Sequence, residues 1–338
     1  MDWSVERKPE GPLREFARNN MISMNPPQHT RFRQSAARGL SRKASAAMAT
    51  KIESLVDKLL DDMSKKDGGD FITDFAFPLP VYVICELLGI SHEDHDMFGQ
   101  CTADMLASLE MSASEEVFDR GSAAANILFD YCKAVAADRE KAPRDDLISM
   151  LIDKEREDKM SRDELIWLTI TMLIAGHETT THMLGNGMLA LVRHPGQYEL
   201  LANNPGLSAG ATEEILRYDP TLYVLFRESI VDVQMGGYNI PAGSFLLSSL
   251  YGANHDPEVF DGPDCFDIRR ANANMHLTFA AGRNLCLGHW LARLEGEIAF
   301  ARIFKKIKNF QMTGNPLPRN GLMFRGHFSL PMSWQAIV

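Results

Sequence analysis

The chain has 338 residues, of which 45% are hydrophobic, and its 45 acidic and 35 basic side chains give a formal net charge of −10. The hydrophobic content suits a folded core and excludes a disordered chain. The acidic balance argues against general nucleic-acid binding and against a polybasic membrane anchor.

Membrane and secretion signals are not found in the sequence. No apolar run reaches the roughly 18 residues of a membrane span, and the charged segment 1–10 does not resemble a secretion signal. The 5 cysteines are scattered and never spaced C-x-x-C, which favours a reducing compartment over a disulfide scaffold or a zinc ribbon. We therefore expect a cytoplasmic, globular protein.

Helical patterns dominate residues 30–200. Between Lys51 and Met63 the apolar residues recur with the 3.6-residue period of an amphipathic helix. The same period is found in later segments, at 81–88, 123–137 and 145–152. Helix breaks are predicted where glycine or proline interrupts the pattern, at 68–69, 78–80 and 143.

The longest predicted helix runs from Ser161 to Val192. Ser161 and Glu164 have the spacing of a capping box, and Pro195 stops the helix shortly after its last apolar residue. At about 1.5 Å per residue such a helix is about 50 Å long, enough to cross a whole domain. We therefore expect it to be a central helix.

The pattern of the sequence changes after Pro220. Short strands are predicted at 231–235, 238–240 and 244–248, separated by glycine and proline turns. A helix returns at 289–307, and the tail from Gly314 is predicted to be loop and short strand. The predicted fold class is mainly α with a minor β portion.

The middle of the central helix carries residues that an apolar run does not explain. Gly176 lowers helix stability by about 1 kcal/mol relative to alanine, and Glu178, followed by two hydroxyl side chains, is costly inside a core. A helix that keeps both is expected to need space beside the glycine and a proton carrier next to it; a polar turn facing the surface is the alternative. A zinc-protease motif is excluded, because its histidines must be four residues apart whereas His177 and His182 are five apart.

The strongest local signal is the segment 279–289, in which a loop with two glycines delivers Cys286 to the start of the helix predicted at His289. Backbone N–H groups at a helix N-terminus favour an anion and so stabilise a thiolate. A single thiolate is a poor zinc site but suits the axial position of a haem iron, where the macrocycle already supplies the equatorial nitrogens. A free buried cysteine and a cysteine nucleophile remain as alternatives. If Cys286 were a nucleophile, His289 would be the nearest base, but no local cysteine-protease signature surrounds Cys286.

Six segments, in their order along the chain, resemble the cytochrome P-450 haem-thiolate monooxygenases, specifically the soluble bacterial type. The motif F-x-x-G-x-x-x-C-x-G occurs at 279–288, A-G-x-E-T-T at 175–180 and E-x-x-R at 214–217. Further segments that resemble family landmarks lie at 25–33, 254–257 and 266–270. Taken alone, Glu214 and Arg217 would be an ordinary solvated helix pair, but in this register they match a family motif.

The resemblance implies a P-450 fold built around the long central helix. It implies one domain over 1–338, helix-rich at 25–220 and mixed strand, loop and haem-ligand region at 221–338. In full-length relatives the segment found here at 25–33 comes far into the chain, after a β-rich lobe. We therefore expect an N-terminally shortened fold with an unusually exposed haem.

The resemblance also implies catalytic roles. Cys286 is then the proximal thiolate ligand, whose electron donation favours O–O cleavage, and Phe279 packs beside it. Gly176 leaves room for dioxygen, while Glu178 and Thr179 pass the protons that its activation needs.

Haem-binding and structural roles follow in the same way. The implied cofactor-binding residues are His29, Arg33, Ala175, Arg227, Phe279, Gly282 and Gly288. Of these, His29, Arg33 and Arg227 are expected to contact the haem propionates as donors to carboxylates. Glu214 and Arg217 are expected to lock the core near the cysteine loop. The substrate pocket is expected to be lined by the loop 221–226 and by a turn at 327–330.

Three positions depart from the family pattern. Ala280 stands where the family usually has glycine, and Asn284 where it usually has histidine or arginine, so Asn284 cannot supply a charge to a propionate. Cys265 occupies the place where many relatives carry the arginine that completes the Glu214–Arg217 cluster. The candidates to compensate are Arg283 for Asn284, and Arg269 or Arg270 for Cys265.

The implied activity is insertion of one oxygen atom from O2 into an apolar or amphipathic small molecule, by hydroxylation or epoxidation, with haem b as cofactor. Electrons are expected from NAD(P)H through a separate ferredoxin or flavodoxin-type donor and its reductase, since the sequence has no flavin or iron–sulfur motif. Apolar residues such as Leu222, Val224 and Leu225 suit terpenoid, polyketide or fatty substrates equally, as in secondary metabolism. Self-association is a further expectation, because a missing lobe would expose core surface. Two alternatives remain: a haem-binding protein without turnover, and a peroxide-driven haem enzyme.

Overall fold

Helices make up most of the chain, and most of the strands follow residue 220, so the predicted mainly α class with a minor β portion is confirmed. The computed structural model describes residues 10–110, 113–157 and 160–337, and the charged segment 1–9 lies outside them. The helices are α1 (Pro12–Asn19), α2 (Gln28–Ala37), α3 (Arg42–Ala47), α4 (Ala49–Met63), α5 (Pro78–Leu88), α6 (His95–Ala107), α7 (Glu115–Lys141), α8 (Leu147–Arg156), α9 (Arg162–Arg193), α10 (Pro195–Asn203), α11 (Ser208–Tyr218), α12 (Leu250–Asn254) and α13 (His289–Lys306). The strands are β1 (Gly68–Asp70), β2 (Val224–Glu228), β3 (Val233–Met235), β4 (Tyr238–Ile240), β5 (Phe245–Ser249), β6 (Ile307–Met312), β7 (Leu317–Asn320), β8 (Arg325–Ser329) and β9 (Pro331–Ala336).

The long helix α9 is capped as its sequence predicts. The Ser161 hydroxyl accepts from the Glu164 N–H at 3.2 Å, and the Glu164 carboxylate accepts from the Ser161 N–H at 2.8 Å. The helix ends at Arg193, and Pro195 opens the next helix at its first turn, where a missing N–H is tolerated. Most residues of α9 are buried, and helices from both halves of the chain pack against it, including α5, α7, α11 and α13. The prediction of a central helix is therefore confirmed.

Small antiparallel sheets complete the fold. β1, β9 and β6 form a three-stranded sheet, while β2 pairs with β5, β3 with β4, and β7 with β8. The β3–β4 turn uses Gly236 and Gly237, both at positive φ (57° and 82°), which matches the twist of a tight hairpin. The last pair matters most for the site, because Arg319 on β7 lies opposite Gly326 on β8.

The helix break predicted at Gly68–Gly69 is confirmed, since α4 ends at Met63, and the pair itself lies in strand β1 because β9 from the far end of the chain pairs with it. Two other element predictions were wrong. The predicted pocket loop 221–226 is partly strand, since β2 begins at Val224. The turn expected at 327–330 is instead the end of β8 and its connection to β9, and the chain reverses between Asn320 and Arg325.

One cluster of buried apolar side chains runs from Phe16 to Trp334 and includes residues along most of α9. Within the described ranges, no helix is long and apolar enough to cross a membrane.

Candidate active site

The segment 279–289 folds as a tight loop that ends in the cysteine. The Cys286 N–H donates to the Phe279 carbonyl at 2.8 Å, which closes the loop. Inside it, Ala280 and Gly282 adopt positive φ values of 58° and 66°. Glycine takes such a conformation freely, whereas alanine is strained there, so the backbone explains why the family usually has glycine at the position of Ala280.

The Cys286 thiol is accessible, yet protein atoms enclose it on most sides. Burial raises the pKa of this thiol, while a backbone hydrogen bond from Gly288 and the charges of Arg33 and Arg293 oppose the rise. The predicted contribution from the N-terminus of α13 is therefore present, but in the free thiol burial outweighs it.

A partly buried ionic network contacts Phe279 at the start of this loop. The Arg293 guanidinium lies 4.5 Å from the centre of the Phe279 ring and pairs with the Glu213 carboxylate at 2.5 Å. Glu213 also contacts the His276 ring at 3.1 Å, and His289 is the acceptor for Arg293 at 2.9 Å. Burial alone would raise the pKa of Glu213, but the hydrogen bonds from His276 and Arg293 outweigh it and lower the pKa. Sequence reasoning missed Glu213 and Arg293, whose spacing of 80 residues leaves no local signal.

Glu214 and Arg217 form a fully buried, bidentate ion pair rather than a solvated surface pair. Both side chains are 0% exposed, with N···O distances of 2.7 and 2.8 Å. Arg270 is the third member, since its Nε lies 3.2 Å from the Glu214 carboxylate, whereas Arg269 lies at the surface 3.9 Å from an aspartate. Cys265 contributes its backbone carbonyl, which accepts from Arg217 at 3.1 Å and from Arg270 at 2.9 Å.

Asn254 connects this cluster to the cysteine loop. Its carbonyl accepts from Arg217 at 2.9 Å, and its side-chain oxygen accepts from the Leu277 N–H at 2.7 Å. Its amide also donates to the Thr278 hydroxyl at 2.9 Å. The ion pair therefore fixes the backbone that leads into the loop of Cys286.

A group of basic side chains comes together on α2 and the cysteine loop. His29 is buried, and its Nδ1 has no hydrogen-bond partner in the described part of the chain. Burial, followed by the charges of Arg33 and Arg283, lowers the pKa of His29. Neither arginine has a hydrogen bond or ion pair within the residues described, so the group lacks a counter-anion. Arg227 is exposed on β2, where it donates to the Phe226 carbonyl at 2.7 Å.

One face of α9 is accessible although the helix is otherwise buried. Ala175 is exposed, and Gly176 and Thr179 are partly exposed. The Thr179 hydroxyl donates to the Ala175 carbonyl at 3.1 Å, one turn back along the same face. A Cβ on Gly176 would lie 2.7 Å from the Ile84 side chain, so glycine allows α5 to pack closely. Its expected role in admitting dioxygen stays a prediction.

Glu178 points into the protein, not to a polar surface turn. Its Oε2 lies 3.2 Å from Arg319 Nη1 and 3.3 Å from His182 Nε2. Burial alone would raise the pKa of Glu178, but the hydrogen bond from His182 and the charges of His177, His182 and Arg319 lower it to about 2. Burial also lowers the pKa of His177. The Arg319 guanidinium, by contrast, stays positively charged throughout the physiological pH range. Sequence reasoning missed Arg319, because it comes from the tail predicted as loop and short strand.

These residues fit haem b. An accessible thiol, an open strip on the central helix, and a basic group with a buried, unpartnered imidazole nitrogen match an iron ligand, a distal wall and partners for two propionates. The fold and this set of residues define a haem-thiolate protein.

Comparison with known proteins identifies the family. The model of the cytochrome P450 family matches residues 6–204 and 207–330. Cytochrome P450 CYP107DY1 from Priestia megaterium is 38% identical over 320 residues, which cover 93% of this chain and 76% of that protein. The vitamin D(3) 25-hydroxylase of Pseudonocardia autotrophica is 37% identical over 287 residues, covering 84% of this chain and 69% of that protein.

A solved structure agrees with this assignment. The crystal structure of P450BioI in complex with an acyl carrier protein ligated to hexadec-9Z-enoic acid has a TM-score of 0.92 and 32% identity, covering 96% of this chain and 84% of that chain. The chain belongs to the cytochrome P450 family. It is a haem-thiolate monooxygenase with haem b as cofactor and O2 as co-substrate, as its motifs predict.

Proposed function

We propose that this P450 inserts one oxygen atom into an apolar or amphipathic small molecule by hydroxylation or epoxidation. When bound, haem supplies the iron at which O2 is activated and from which the oxygen atom is transferred. The observation that carries the proposal is the accessible thiol of Cys286 at the end of a closed loop. Leu222, which bridges to Phe324, and the half-buried Val224 and Leu225 offer apolar surface to a substrate.

Two forms of the substrate are candidates: a free small molecule and a molecule tethered to a carrier protein. P450BioI, of the same fold, has been crystallised with a fatty acyl chain on its carrier protein. A small apolar substrate in solution is the simpler proposal for this chain, and a tethered substrate is the second candidate. Competition between a free fatty acid and its acyl-carrier form for the spectral change that substrate binding causes would separate the two.

The chain's own residues divide the work as follows. Cys286 binds the iron, and the basic group of His29, Arg33 and Arg283 holds the propionates, Arg283 taking the place that Asn284 cannot fill. Arg227 is retained as a further propionate contact. Four further residues would contact bound haem: Ala175, Phe279, Gly282 and Gly288.

Protons are supplied from α9. Thr179 holds a hydroxyl at the accessible strip, and Glu178 is a carboxylate one residue before it. Gly176 would leave room for dioxygen when haem is bound, in addition to allowing α5 to pack closely. This supply of protons favours a reaction that uses O2 and two electrons over a reaction driven by peroxide alone. In a peroxide both oxygen atoms are already reduced, so no electrons need to be supplied.

Electrons come from NAD(P)H through a ferredoxin or flavodoxin-type protein and its reductase. The five cysteines of the chain are all unpaired, which supports a reducing compartment such as the cytoplasm. Residues 1–338 act as one domain, because apolar side chains from Phe16 to Trp334 share one core. Self-association stays a prediction.

The test of the ligand is the absorption spectrum of the reduced, CO-bound protein. We expect the red-shifted Soret band that a thiolate ligand produces, and we expect Cys286→Ala to lose it. Cys265→Ala is the matched control, because Cys265 is also an accessible cysteine but supplies only its carbonyl to the Glu214 cluster. A normal thiolate spectrum in Cys286→Ala would overturn the assignment.

The test of the proton supply needs no known substrate. With NADPH, a surrogate ferredoxin and its reductase, the fraction of electrons recovered as H2O2 measures how often proton delivery fails. We expect Thr179→Ala to raise this fraction and Thr179→Ser to leave it near the wild-type value. An unchanged fraction in Thr179→Ala would contradict the proposed role, and protein that binds haem but consumes no NADPH would favour a haem-binding protein without turnover.

A further inference from the structure

Arg293 lies one turn into α13, the helix that begins shortly after Cys286. Its guanidinium carbon is 4.5 Å from the centre of the Phe279 ring, where a cation is attracted to the electrons of the ring face. The Phe279 carbonyl in turn accepts the Cys286 N–H at 2.8 Å. A positive charge therefore lies over the ring of a residue whose backbone closes the loop of the expected iron ligand.

Two neighbours hold the guanidinium in this position. Glu213 on α11 engages it at two points, with Arg293 Nε 2.5 Å from Oε1 and Nη2 3.2 Å from Oε2. The Nδ1 atom of His289 lies 2.9 Å from Nη1. Because a guanidinium has only donors, Nδ1 must be the acceptor, so the His289 ring is neutral and adds no second positive charge. Burial, followed by the charges of Arg293 and Arg33, lowers the pKa of His289 and favours the same neutral form.

The charge of Arg293 acts on the sulfur of Cys286. Burial raises the pKa of this thiol, and the charges of Arg33 and Arg293 oppose the rise. The two arginines differ in their counter-anions, since Arg33 is proposed to pair with a propionate, whereas Arg293 already pairs with Glu213. Although that pair is neutral as a whole, the guanidinium is the member that contacts the Phe279 ring. Arg293 is therefore a fixed cation beside the loop, whether or not haem is bound.

We propose that the charge of Arg293 raises the reduction potential of haem bound to Cys286, and that Glu213 is the positioning residue that holds Arg293 over the Phe279 ring. The inference rests on the proposed ligation of haem by Cys286. An electron from the ferredoxin or flavodoxin-type donor adds one negative charge to the iron and its sulfur ligand, and a nearby cation stabilises that reduced state relative to the oxidised one. The guanidinium therefore makes the iron easier to reduce, and the Glu213 carboxylate offsets part of this effect.

The test is a redox titration of the substrate-free holoenzyme, followed by its absorption spectrum in alkaline buffer, above the range in which histidines ordinarily titrate. We expect Arg293→Met, which keeps much of the side-chain volume but not the charge, to lower the equilibrium constant for reduction by about tenfold, which is about 59 mV for a one-electron couple. Arg293→Lys keeps the charge and should stay within about threefold of the wild type. Glu213→Gln removes the offsetting negative charge at nearly constant shape, so it should shift the potential upward.

The opposite signs separate an effect of charge from a disturbed loop. Because Arg293→Met and Glu213→Gln weaken the same ion pair, a purely structural role would shift the potential in the same direction for both. Arg302→Met is the matched control, since Arg302 also lies on α13 but pairs with Asp57 on α4. An unchanged potential in Arg293→Met, shifts of equal sign in Arg293→Met and Glu213→Gln, or an equal shift in Arg302→Met would overturn the proposal.

Failure of the underlying ligation looks different. If Cys286 is not the iron ligand, the reduced, CO-bound wild type lacks the red-shifted Soret band, whatever the potentials of the variants. If that band is present but the potentials do not follow the charge, the ligand assignment stands and the role of Arg293 is wrong. If Arg293→Met does not take up haem, Glu213→Gln decides alone, and a potential at or below the wild-type value would contradict the proposal.

Discussion

Ala280 stores backbone strain that can be measured by removing it. At its φ of 58°, a residue with a Cβ is disfavoured by about 1–2 kcal/mol, and glycine is not. Glycine also gives the unfolded chain more freedom, which offsets about 0.4–1 kcal/mol of the gain. We therefore expect Ala280→Gly to stabilise the protein by about 0.5 kcal/mol.

The neighbouring alanine provides the control. Ala281 has an extended backbone, with φ −146° and ψ 167°, so glycine relieves nothing there and Ala281→Gly should destabilise by about 0.5–1 kcal/mol. The free energy of unfolding of the two variants should thus differ by about 1–1.5 kcal/mol, measured by urea titration of the holoprotein at equal m-values. If Ala280→Gly lowers stability as much as Ala281→Gly does, the strain argument is refuted.

Other consequences of the structure are open to similar tests. Arg270→Gln should destabilise by about 2–4 kcal/mol, because it removes a partner from a buried carboxylate, whereas the surface change Arg269→Gln should stay within about 0.5 kcal/mol; similar losses in both would contradict the assignment of the third cluster member. Arg33→Gln should speed the transfer of haem to apomyoglobin, followed by absorbance, because it removes a propionate partner; an unchanged rate would argue against the basic group as that partner. Burial, followed by the charges of His182 and Arg193, lowers the pKa of His327 from 6.5 to about 4. Its neutral form therefore adds stability that is full above pH 6.5 and is lost as the pH falls to about 4, and His327→Asn should flatten the urea midpoint over that window but not below it.

Local signals in the sequence predicted the elements that local interactions form. The ends of α9 follow from the Ser161 cap and from Pro195, both encoded within a few residues of each end. The cysteine loop was also predictable, since its glycines and the start of α13 lie within one short segment. Strand β1 was not, because two glycines form a strand there only through pairing with β9, more than 260 residues later. The preference for Arg270 over Arg269 likewise depends on which of two adjacent side chains turns toward Glu214.

The two buried acids of the site show why tertiary partners matter for function as well as for fold. Glu214 and Arg217 lie three residues apart, so their pairing follows from the helix, and Arg270 completes the cluster from the segment after α12, 56 residues from Glu214. Glu178 has its guanidinium partner 141 residues away, which no helical spacing records. Because the first carboxylate is engaged at both oxygens, it suits the structural role predicted for it, and we expect its loss to disturb the loop of Cys286. Because the second is engaged at one oxygen only, by Arg319 and His182, it is less constrained than the first.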